Sequence, residues 1–195
     1  MGVNMKNNML GIFATLIYFA MVENVKEIKE EFNQIIKNLH FYDTPEMWGK
    51  PHKLTTKNFE DNIIQENNME VIKKVIDINI RLFLEMLKLP YQEYLLTSWI
   101  TSYDKGEYAP VHNHLNADIS SVYYYETNGK DGDIFFVTPC LVITASMFNK
   151  VSENYYVPPE EGKLLLFPGW LQHGVATNTT SSNRKSLAFN IYFRK

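Results

Sequence analysis

Among 195 residues the chain has one cysteine, Cys140. An internal disulfide is therefore excluded, and the composition fits a reducing compartment. Cys140 follows Thr138 and Pro139 in an apolar setting and reads as a buried filler, not a nucleophile. Charge of one sign is also missing. Lys and Arg number 19 against 22 Asp and Glu, the net charge is −3, and no long basic or acidic run occurs. Such a chain carries no electrostatic footprint for nucleic acid. Nor does any apolar run reach the ~20 residues a membrane helix needs. The longest, Met9 to Val22, follows only one lysine, Lys6, and has no clear small-x-small cleavage site. Its β-branched and aromatic residues suit a buried first strand better than a signal peptide. Repeats, low-complexity tracts and inter-domain linkers are absent from the sequence as well. The length suits one domain over 1–195, with a core of ordinary size.

What is present divides into two parts. Over 1–93 the pattern predicts the first strand followed by supporting helices. Val25, Ile28, Phe32, Ile35 and Ile36 line one side of a predicted helix over Glu23 to Asn38, opposite Lys and Glu. A second amphipathic helix is predicted from Asn68 to Leu89, stopped at Pro90. Between them, His40 to Phe59 holds Pro45, Pro51 and Gly49 and reads as a loop with a possible strand. Over 94–195 the runs are short and rich in aromatic and β-branched residues: Leu95 to Tyr103, Ile119 to Glu126, Asp133 to Pro139, Lys163 to Phe167 and Ser186 to Phe193. Turn signals such as Asn128-Gly129, Asp131-Gly132 and Glu161-Gly162 separate them. The expectation is a mainly β protein with an N-terminal α layer, built as a double-stranded β-helix, or jelly roll, of the cupin-like kind.

Three of the five histidines lie in two short segments that read as β-structure. His112 and His114, at i and i+2, would share one face of a strand. His173 comes roughly sixty residues later, after the Pro168-Gly169 turn. Imidazoles brought together by strands suit iron, zinc or copper. Arg184 follows, and Ser186, Ala188 and Asn190 share its face of the last strand, opposite Leu187, Phe189 and Ile191. A polar face with an arginine makes sense if it lines a cavity that holds an anion. A metal beside a carboxylate-binding arginine is a set of parts for binding a keto acid and activating oxygen. His40 and His52 lack such partners and read as structural.

The stretch from Trp99 to Phe193 resembles the Fe(II)- and 2-oxoglutarate-dependent oxygenases, most closely the small ones of phages and bacteria. The resemblance rests on an ordered set: Trp99, Gly106, His112-Asn-His114, Ser120 to Tyr124, Gly132-Asp133, Leu166 to His173 and Arg184-Lys-Ser186. The opening strand, Ile12 to Tyr18, is similar too. The resemblance implies Fe(II) as cofactor, 2-oxoglutarate as co-substrate, O2 as oxidant, and hydroxylation of an unknown substrate coupled to formation of succinate. His112 would be the first metal ligand and His173 the distal one. Arg184 would pair with the far carboxylate of 2-oxoglutarate, and Ser186 would add a hydroxyl. One of Tyr123, Tyr124 and Tyr125 would face the keto acid. The substrate would be a small molecule or a peptide, contacted through Phe41 to Phe59 and Thr144 to Tyr156. The location would be the cytoplasm of a bacterial or phage-infected cell.

One position departs from the common pattern. Where two histidines and a carboxylate form the usual triad, this chain has His114 in the carboxylate's place. Either His114 completes the shell or Asp118 does. The same residues approach the cupin signatures, with His112, His114, Asp118 and His173 as ligands of a metalloenzyme that does not use 2-oxoglutarate. That reading leaves Arg184 without a job. A non-enzymatic jelly-roll binding module is the third alternative. Trp99 and Trp170 read as packing residues, and the oligomeric state is not legible.

Overall fold

The computed structural model describes residues 14–44, 52–57, 59–139 and 154–194. Eleven strands and three α-helices follow one another along them. The larger sheet has seven strands. In spatial order these are β1 (Tyr18–Met21), β9 (Lys163–Pro168), β6 (Ile119–Glu126), β11 (Arg184–Phe193), β4 (Tyr94–Tyr103), β3 (Lys53–Leu54) and β2 (Tyr42–Asp43). The smaller sheet has four: β5 (Ala109–His112), β10 (His173–Val175), β7 (Ile134–Phe136) and β8 (Tyr155–Val157). Every named pair is antiparallel. Two facing antiparallel sheets whose strands cross between them make the expected jelly roll.

The predicted helices form, with shifted ends. The first is α1 (Val25–Ile35), closed by a 3-10 turn over Ile36–Asn38. A short helix, α2 (Ile63–Glu66), precedes α3 (Glu70–Met86). One turn is too short to carry a hydrophobic period, so α2 leaves no sequence signal beyond its capping residues, Asn62 and Glu66. The last helix stops short of Pro90. Lys88 adopts φ 57°, and Leu89 N–H donates to Leu84 O at 2.9 Å, which closes the helix as a Schellman turn. Glu31 of α1 accepts the N–H groups of Val71 and Ile72 at 2.8 and 3.1 Å. A carboxylate thus caps the positive end of α3 and ties the two helices together.

The period-2 rule divides the large sheet between two tasks. Leu187, Phe189 and Ile191 of β11, Tyr123 and Tyr125 of β6, and Leu164 and Leu166 of β9 face the helices. There they pack with Ile28, Phe32, Ile72, Ile76 and Ile80 in one buried cluster. Alternate residues of the same strands face the smaller sheet. That inner space holds Tyr124, Leu165, Phe167, Ile134 and Phe136, together with the polar groups described below.

Within the predicted first strand, Tyr18–Met21 form β1, paired with β9. Met9 to Phe13 and Cys140 lie outside the described residues, as do parts of both expected substrate loops. The two histidine segments expected as β-structure form the short strands β5 and β10, while β8 has three residues and no expectation was attached to it. No helix among the described residues is long and apolar enough to cross a membrane.

Candidate metal centre

Strand register brings the histidines together. His173 of β10 pairs directly with His112 of β5, which sets their rings 4.4 Å apart. His114 lies two residues past the end of β5, not on the strand. Its place is set by backbone bonds instead. Its N–H donates to Gly169 O at 2.8 Å, and its carbonyl accepts from Ala117 N–H at 2.8 Å. The ring centroid of His114 is 5.2 Å from that of His112 and 5.4 Å from that of His173. One nitrogen from each of the three imidazoles lies within 4.8 Å of the others.

The remaining nitrogens are tied to the frame. Nδ1 of His112 bonds Pro110 O at 2.8 Å, and Nδ1 of His173 bonds Leu171 O at 2.9 Å. A carbonyl only accepts, so each Nδ1 carries the proton and each Nε2 carries the lone pair. Nδ1 of His114 meets the amide of Asn190 at 3.1 Å. Burial lowers the pKa of all three. His114 falls to about 4, with His112 adding to the effect, and His173 falls well below the usual value. Neutral imidazole is the form that binds metal. Phe167, at 4.8 Å from His173, and Trp99, at 6.0 Å from His114, wall the cluster. Three borderline nitrogen donors in a dry wall suit a first-row divalent metal, iron among them.

The histidines open on a cavity of about 690 Å³ between the sheets. Arg184, 1% exposed, lines the same cavity. Its guanidinium lies over Tyr103 at 4.2 Å and beside Tyr124 at 5.7 Å, and Nη1 donates to Gly132 O. Gly132 has φ 105°, and a Cβ there would come within 2.3 Å of Ala176 O, so only glycine lets this carbonyl in. Nε of Arg184 is buried without a partner, and no carboxylate pairs with Arg184 among the described residues. A buried cation is costly unless an anion offsets it. Ser186, beside it on β11, shares a 2.8 Å hydrogen bond with Thr101, and both line the cavity.

Other expectations are refined. Asp118 stands apart from the cluster: it is exposed, and its carboxylate accepts Phe193 N–H at 2.8 Å. Of the three tyrosines, Tyr124 faces the cavity while Tyr123 and Tyr125 face the helices. Trp170 is about half exposed, whereas Trp99 lines the cavity. His52, read as structural, also lines it. Its ring stacks on Tyr103 at 4.6 Å, and Nδ1 bonds Tyr108 O at 3.1 Å. No neighbouring motif marks His52, because the pairing of β3 with β4 is what carries it inward. A second cavity, about 760 Å³, is walled by Leu16, Phe19, Phe136, Tyr155 and Leu171, and it takes in none of the three histidines.

The fold recurs in solved structures. The nonhaem α-ketoglutarate-dependent epimerase SnoN from nogalamycin biosynthesis superposes with a TM-score of 0.66 at 11% identity, covering 92% of this chain and 78% of that one. A prolyl-4-hydroxylase from Pseudomonas putida gives 0.62 at 14% identity, covering 93% and 94%. HygX from Streptomyces hygroscopicus, solved with nickel and 2-oxoglutarate, gives 0.60 at 13%, covering 91% and 83%. These likenesses define a double-stranded β-helix. At the sequence level no curated protein matches. Residues 97–190, which carry all three histidines and Arg184, match the family model "Putative 2OG-Fe(II) oxygenase". Over that stretch, just under half of its length, the chain is similar to the Fe(II)- and 2-oxoglutarate-dependent oxygenases.

Proposed function

We propose that His112, His114 and His173 hold the ferrous ion of this oxygenase, and that Arg184 and Ser186 dock the far carboxylate of 2-oxoglutarate. The observation that carries the reading is the buried guanidinium. It shares one cavity with the imidazoles, has an unpartnered Nε, and forms no ion pair with a carboxylate among the described residues. A dicarboxylic co-substrate supplies the missing charge and accepts the free N–H. Iron held there supplies the redox chemistry, the activation of O2 coupled to loss of CO2 from the keto acid.

The chain's own residues bind, orient and exclude water. The Pro110 and Leu171 carbonyls keep the imidazoles of His112 and His173 turned with Nε2 inward. Trp99, Phe136 and Phe167 keep the space around the metal dry. Tyr103 and Tyr124 hold the guanidinium in plane. Leu95 and Leu115, which line the same cavity and are more than half exposed, mark its mouth. A small molecule or a peptide enters there and presents a C–H bond for hydroxylation. We place the protein in the cytoplasm, as a single domain.

The test is succinate release from purified protein given Fe(II), O2 and 2-oxoglutarate. His173→Ala loses bound iron and succinate formation together. Arg184→Ala keeps its iron but needs about 100-fold more 2-oxoglutarate, since two charge-assisted hydrogen bonds at ~1.5 kcal/mol each are gone. Wild-type turnover by His173→Ala would end the metal assignment.

A further inference from the structure

Asn190 and Ser120 face the site from the large sheet, and both are almost wholly buried. They are neighbours across β11 and β6, in register. Ser120 Oγ bonds the Asn190 amide oxygen at 2.9 Å, and the other end of that amide meets Nδ1 of His114 at 3.1 Å. This is a relay of three polar groups ending on a candidate metal ligand.

The relay has two self-consistent arrangements, because the serine hydroxyl donates or accepts equally well. In one, the Asn190 N–H donates to Nδ1 of His114. The imidazole proton must then sit on Nε2, and that nitrogen has no lone pair for a metal. In the other, the amide is turned over. Its oxygen accepts Nδ1–H, its N–H donates to Ser120, and Nε2 of His114 offers a lone pair toward His112 and His173. For His112 and His173 a backbone carbonyl makes this choice, and only one tautomer fits. For His114 a side-chain amide makes it.

The geometry points to Asn190 as the positioning residue that selects the metal-binding tautomer of His114, with Ser120 as its anchor. The inference rests on the reading of His114 as a ligand. It gives the departure from the usual carboxylate a physical support. A third imidazole can stand in that place only if a buried acceptor holds its far nitrogen.

The test measures Zn(II) affinity of the metal-free protein by competition with a chelator. It compares wild type, Asn190→Leu, Asn190→Asp and His114→Ala, with the melting temperature of each metal-free form as the check on folding. Asn190→Leu keeps the volume and loses the acceptor, so Zn(II) binding is expected to weaken about ten- to a hundred-fold. Asn190→Asp offers only acceptor oxygens and is expected to bind at least as tightly as wild type. A merely structural asparagine would show no such rescue. If Asn190→Leu binds within two-fold of wild type while His114→Ala loses the metal, the positioning role is wrong and the ligand assignment stands. If His114→Ala also binds as wild type, the ligand assignment falls and takes the inference with it. Should Asn190→Leu not fold, nitrogen-15 NMR of the imidazoles in Zn(II)-loaded wild type decides. The proton of His114 is expected on Nδ1, and a proton on Nε2 overturns the proposal.

Discussion

Four imidazoles line one cavity, those of His52, His112, His114 and His173. Burial lowers the pKa of each, to about 4 for His52 and His114. An unfolded chain takes up protons on these groups near pH 6.5. The folded one resists until much lower pH. Between about pH 6.5 and pH 4 the unfolded state therefore binds more protons, and stability falls as pH falls. Each histidine contributes at most about 1.4 kcal/mol per pH unit in that window and nothing above pH 7. Thermal melting of the metal-free protein is expected to drop steadily below pH 6.5. A flat profile down to pH 5 would show that the imidazoles protonate without resistance. At this scale the sequence was informative about His112, His173 and Arg184, whose residue types and spacing carry chemistry. It put Asn190 on the cavity face and Tyr124 among three candidates without saying what either touches, and it read His52 as structural only. Their part depends on which residue stands across the sheet, and register is not written in any one strand.

Short strands and one glycine hold the site's geometry. Only β5 and β10 place His112 and His173, and neither exceeds four residues. Such pieces are stabilised by pairing and not by intrinsic propensity, so the sequence read them as β-structure without giving their bounds or their partners. The loop carrying His114 hangs on Gly169, whose carbonyl accepts His114 N–H and whose N–H donates to Asp118 O at 3.2 Å. A Cβ at Gly169 would meet Ala117 O at 2.1 Å and His114 O at 2.8 Å. Both obstacles are backbone, so the loop itself must move. Gly169→Ala is expected to destabilise the protein by about 2 kcal/mol and to weaken Zn(II) binding by tenfold or more, through displacement of His114. Denaturant unfolding and the metal titration check the two halves separately. Loss of stability with unchanged affinity would mean that the loop relaxes without carrying the imidazole along. The helices were legible because their apolar stripes run three or more turns. The end of α3 was not, since Lys88 takes a left-handed conformation that pattern assigns to glycine or asparagine.

Across the whole molecule, one sheet serves two purposes on its two faces. Alternation along β11 sends Leu187, Phe189 and Ile191 to the helices and Arg184, Ser186 and Asn190 to the cavity. That division was readable from the last strand alone, whereas the strand order was not, because crossing connections between sheets leave no local mark. The consequence is a separation of stability from chemistry. Phe32 of α1 is wholly buried and stacks on Tyr125 at 4.4 Å and Tyr123 at 6.4 Å, on the face away from the histidines. Phe32→Ala leaves a cavity there and is expected to cost about 3–5 kcal/mol of folding stability. The strand backbones between that cavity and the site are held by pairing on both sides, β6 between β9 and β11. Rearrangement should therefore stay on the helix face. Folded Phe32→Ala is expected to bind one Zn(II) per chain with wild-type affinity while unfolding at much lower denaturant. A parallel loss of metal affinity would show that the helical layer sets the distance between the histidines, and that the two faces are mechanically one.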